Sequence, residues 1–132
     1  MEKVVVVHFA GEARPVHFSV GSMLEVNEKY GGASEALDLM CKDDAEAFAV
    51  MQDLAVLMAN DAELCRRAEG YDPKPMLEAK DLTTMMSPIE YLRLKQGISR
   101  AIELGYEQEL GDENKETDLG LLELQKKEGA GV

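Results

Sequence analysis

Between Asp44 and Glu69 the apolar residues return every three or four positions. Phe48, Met51, Ala55, Met58, Ala62 and Cys65 form one stripe, and Val50, Leu54, Leu57 and Leu64 run beside it. This spacing predicts a helix over 44–69, the longest in the chain, with a wide apolar face. Such a face needs cover, and the most direct reading is a central core helix packed on its neighbours. Because the face is rich in Met and Ala, part of it also suits contact with a partner or a second subunit. Met51, Leu54 and Met58 are the candidates for that contact.

The N-terminus supplies strands. Val4 to Val7 is an unbroken run of β-branched residues, followed by His8 and Phe9, and predicts a strand over 3–10. Gly11-Glu12-Ala13 reads as the turn and 14–19 as the returning strand, with Pro15 suited to an edge. Alternation puts Val5, Val7, Phe9, Val16 and Phe18 on one face. Val4, Val6 and His8 share the other, where Val4 and Val6 are candidates for pairing between copies or for cover within one. A lone hairpin is marginal in water, so this one must pack on helices or pair with another edge.

Shorter helices fill the rest. One opens at Gly21-Ser22, with Met23, Leu24, Val26 and Tyr30 as its apolar positions, and stops at Gly31-Gly32. A second spans 33–41 with Ala36, Leu37, Met40 and Cys41 on its apolar side. Gly70 to Pro75 breaks the chain, and a short helix is expected at 81–86. Ser87-Pro88-Ile89-Glu90 has an N-cap serine, proline at the first helical position and glutamate three residues after the cap. The helix it opens should run to about Leu104, with Ile89, Leu92, Ile98 and Ile102 facing the core and Tyr91 and Leu94 at the border. Gly97 weakens it and marks a close crossing.

From Glu107 onward the sequence turns polar and acidic, with only Lys115, Lys126 and Lys127 against a larger number of Asp and Glu. Residues 107–132 therefore read as a flexible acidic tail on a body of residues 1–106, because they carry too little apolar surface to offset ordering. Leu119, Leu121, Leu122 and Leu124 punctuate the tail, and the first three are candidate partner contacts. The expected fold is mainly α: a small helical bundle with an N-terminal β-hairpin and a disordered acidic C-terminal tail.

Composition limits function. A net charge of −12 disfavours nonspecific binding to nucleic acid or anionic membrane, and favours protein partners. No apolar run is long enough to span a bilayer. The two cysteines, Cys41 and Cys65, lack metal-type spacing and read as reduced thiols in a cytosol-like compartment. His8 and His17 sit on the hairpin without further ligands, so no metal and no cofactor is expected. No phosphate loop, dinucleotide fingerprint or nucleophile constellation is present. A pocket gathering His8, His17 and a cysteine would be needed to revive an enzymatic reading.

One stretch resembles a known family. A short N-terminal hairpin leads through Phe18-Ser19-Val20-Gly21 into Met23-Leu24-Glu25-Val26-Asn27-Glu28-Lys29-Tyr30-Gly31-Gly32. This is similar to the tail assembly chaperones of long-tailed bacteriophages that infect Gram-positive bacteria, or to a prophage copy of one, with a likeness of overall order across residues 3–105. The resemblance implies a non-enzymatic protein of the bacterial host cytoplasm. Its job would be to bind the long, apolar-rich tape measure protein and hand it to tail tube protein. It also implies helix-in-groove contact by many copies, and a longer form made by frameshifting. Gln125-Lys126-Lys127 can be encoded by a slippery run of A. Other classes stay open: an acidic regulator or inhibitor that occupies the basic surface of a DNA-binding protein, or another phage morphogenesis adaptor.

Overall fold

The chain opens with an antiparallel hairpin of β1 (Val5–Phe9) and β2 (Glu12–Val16). The structure is a computed structural model that describes residues 4–116, with side chains through residue 107. Phe9 pairs with Glu12, so the turn is only Ala10-Gly11 and the returning strand starts earlier than 14 and ends before 19. Both turn residues have positive φ, 51° and 91°, which matches the twist of the flanking strands. Gly11 adopts this freely. Ala10 is held there by burial and by Arg14, whose Nε donates to the Phe9 carbonyl at 3.1 Å and whose Nη2 donates to the Ala10 carbonyl at 2.9 Å. The faces follow the alternation: Val7, Phe9, Val16 and Phe18 are buried, whereas Val6 and His8 are exposed.

Capping sets the helix starts. In α1 (Val20–Tyr30) the Ser19 hydroxyl accepts from the Ser22 N–H at 3.2 Å, so the helix begins just before Gly21. It stops at Gly31, whose φ of 92° is the left-handed cap conformation. Val26 is buried, but Leu24, expected on the apolar side, is 59% exposed, and Ser22 is buried instead. In α2 (Ala33–Met40) Ala36 and Met40 are buried, while Cys41 falls at the C-cap and is exposed. Asp44 caps α3 (Ala45–Ala68) by accepting from the Ala47 N–H at 2.8 Å. A short α4 (Ala79–Met85) follows the coil after Gly70.

The last helix, α5 (Pro88–Glu116), starts at the expected capping box. The Glu90 N–H donates to Ser87 Oγ at 3.3 Å, and the Ser87 N–H donates to Glu90 Oε1 at 3.4 Å. Its buried stripe is Leu94, Ile98, Ala101 and Ile102. Ile89 and Leu92, expected in the core, are 52% and 53% exposed. At about 100° per residue they lie far around the helix from Leu94. The helix also passes Leu104 and Glu107 and continues to Glu116. A single glycine at 105 costs only about 1 kcal/mol, and the Glu107-Gln108-Glu109-Leu110 run that follows has good helix propensity. Residues 117–132, which hold Leu119, Leu121, Leu122 and Gln125-Lys126-Lys127, lie outside the described residues. The chain divides into two units, 1–102 and 103–132, and the described part of the second is the C-terminal stretch of α5.

In the first unit one core gathers the inner hairpin face, the buried face of α3, and residues from α1, α2, α4 and α5. Two extended pairings strap the coil between α3 and α4 onto α3. Asn60 donates from Nδ2 to the Leu77 carbonyl at 3.1 Å and accepts the Leu77 N–H at Oδ1, 2.7 Å. Glu63 Oε2 accepts the Lys74 N–H at 2.7 Å, and Arg67 Nη2 donates to the Lys74 carbonyl at 2.9 Å. A coil that would otherwise leave its backbone polar groups to solvent is thereby fixed.

Candidate interaction groove

Met51, Leu54 and Met58 have no exposed surface at all. They lie in the core with Phe9 and Val16, and the Met58 carbonyl accepts the His17 N–H at 3.1 Å. This corrects the expectation that they meet a partner, because side chains covered by their own chain leave nothing to offer. Their stripe folds the protein. Val4 is half-buried and Val6 is 58% exposed on the outer hairpin face.

A different flank of α3 reaches the surface. Asp53, Val56, Leu57, Asn60, Asp61 and Leu64 recur at helical spacing along one side of an open groove of about 420 Å³, and α1 forms the opposite wall through Gly21 and Glu25. Leu64 is 52% exposed, and Val20 and Leu24 stand exposed on α1. Gly21 removes a side chain from that wall, and a Cβ there would meet only Ser19 Oγ, at 3.5 Å. Sequence reasoning assigned Leu24 and Leu64 to packed faces and missed the groove, since one apolar period serves both roles.

The carboxylates of the groove are held in place. Asp53 accepts from Lys29 Nζ at 2.9 Å and from the Tyr30 hydroxyl at 2.6 Å. Burial, with that hydrogen bond, pushes the Tyr30 phenol above its ordinary pKa. The hydrogen bond to Asp53 raises Lys29 likewise. Asp61 Oδ2 accepts from the buried Ser22 hydroxyl at 3.2 Å.

Beside Asp61 a histidine and a cysteine meet. His17 Nδ1 lies 3.4 Å from Cys65 Sγ and 3.4 Å from Asp61 Oδ2. An activated nucleophile needs a base that takes the thiol proton at one ring nitrogen while the acid orients the other. Here one nitrogen faces both groups. Burial, with nearby Asp61, pushes the Cys65 thiol up rather than toward thiolate. His8 does not join them; its Nδ1 lies 3.5 Å from Glu90 on α5. Among the described residues no group of three or more His, Cys, Asp or Glu is placed to hold a metal ion. No helix among them is long and apolar enough to cross a membrane.

A second, smaller cleft of about 200 Å³ lies between β2, α3 and the strapped coil, with charges of both signs around it. Glu63 is its fixed point, paired with Arg66 Nη1 at 2.6 Å and Arg67 Nε at 3.0 Å. The Lys74 N–H first, and the guanidinia of Arg67 and Arg66 after it, outweigh burial and hold its carboxyl down at about 2. These contacts are local and structural. Compared with protein-family models, curated proteins and solved structures, the chain matches none.

Proposed function

We propose that this protein is a non-enzymatic tail assembly chaperone of a long-tailed bacteriophage, or a prophage copy of one. It binds the tape measure protein in the host cytoplasm and keeps it soluble until tail tube protein polymerises around it. The observation that carries this reading is the apolar groove left open between α1 and α3, on a body whose Met-rich stripe is already used in its own core. One wall of that groove, α1, is the stretch in which the family resemblance is densest. Side-chain recognition of an amphipathic helix needs an apolar groove of this kind. The tail leucines Leu119, Leu121 and Leu122 would add a second contact, and several copies on one long client would bind through multivalency.

The test is co-expression with the long helical protein encoded beside this gene, followed by affinity capture. A client that is insoluble alone and soluble in complex supports the proposal. A client that neither binds nor gains solubility removes it and favours the acidic-regulator or adaptor readings.

A further inference from the structure

We infer that the α1–α3 groove takes a helix with small or medium apolar side chains on one face and lysine or arginine along its flanks. This rests on the chaperone reading and names the chemistry of the client segment. The groove lining contains Glu25, Asp53 and Asp61 and no cation. Lys29 pairs with Asp53 and its charge also senses Glu25, and His17 stands 3.4 Å from Asp61, so carboxylates still outnumber the cationic side chains around the groove. An occupant with basic flanks completes this balance, whereas one with acidic flanks meets like charge.

The walls favour a helical occupant. Both are helices whose backbone groups are paired internally, so they offer side chains and no open strand edge. A segment lying between them gains no backbone partner from the walls, and a helix supplies its own. The lining of α3 from Asp53 to Leu64 extends about 16 Å at ~1.5 Å per residue, which is the length of about three helical turns. Val56, Leu57 and the exposed Leu64 supply the apolar lining, and Gly21 leaves room for close approach.

The probe is a fluorescent peptide of about four helical turns, with Leu and Ala on one face and Lys on both flanks. Its twin carries Glu at each Lys position. Binding to the full chain is read by anisotropy at low and high salt. The Lys peptide should bind about tenfold more tightly than its twin, and added salt should narrow the gap. The double variant Glu25→Lys/Leu64→Gln, at two exposed lining positions, should bind the Lys peptide about tenfold less tightly while melting with the wild type, and Leu92→Gln on α5 should bind normally. Equal binding of the two peptides, undiminished binding to the double variant, or no binding to the wild type overturns the inference. So does a wild-type dimer that the double variant converts to monomer, because the occupant is then a second copy. A client kept soluble by the double variant as well as by the wild type would discard the groove and keep the chaperone reading. Loss of client binding in every form would discard both.

Discussion

Gly97 on α5 lies against Val7 on β1 so closely that a Cβ at Gly97 would overlap Val7 Cγ2, with Val7 Cβ at 3.5 Å. Helix and hairpin therefore meet backbone to side chain, and glycine is required by that approach. Gly97→Ala gains helix propensity worth about 1 kcal/mol, and overpacking typically costs about 1–3 kcal/mol. We predict net destabilisation in urea unfolding, and partial recovery when Val7→Ala is added. A Gly97→Ala chain more stable than wild type would contradict this contact.

The buried Met stripe gives a second expectation. Met58→Ala should lower stability by about 2–5 kcal/mol, because it empties a filled site in the core. Leu24→Ala, at an exposed position, should stay within about 0.5 kcal/mol. Denaturant midpoints of the two variants decide whether the faces are assigned correctly.

Glu63 predicts a pH dependence. Its folded pKa is depressed to about 2, below the ordinary carboxylate value of 4.5. Its contribution to stability is therefore complete above about 4.5, and is lost as pH falls toward about 2. Glu63→Gln should melt below the wild type at neutral pH, and the gap should close across that acidic window. A gap independent of pH would contradict the Lys74 and arginine contacts.

The cysteines should differ in reactivity. Cys41 is exposed, whereas Cys65 is half-buried with its thiol pKa raised. A thiol-specific reagent at neutral pH should modify Cys41 first, and His17→Ala should not slow Cys65. Faster modification of Cys65, lost on removing His17, would indicate an activated thiol.

What was legible in the sequence had local chemistry behind it. The Ser87–Glu90 capping box, the Gly31 stop and the hairpin faces follow from contacts within a few residues. Gly97 signalled a close crossing through its cost in a helix. Phase was harder: α5 has apolar residues on several sides in its first turns, and only packing selects Leu94 over Ile89 and Leu92. Met51 and Leu64 carry the same periodic signal on α3, yet one is core and the other surface. The Asn60–Leu77 pairing and the His17–Cys65 approach join residues distant in sequence, and no period announces them.

One side of α3 folds the protein, and we propose that the other, with α1, holds a helical client. The direct measurement is the soluble fraction of the tape measure protein co-expressed with wild type and with Glu25→Lys/Leu64→Gln. Equal melting of the two chains, with a soluble client beside the wild type and an aggregated one beside the variant, is the expected result. An equally soluble client with both would contradict it.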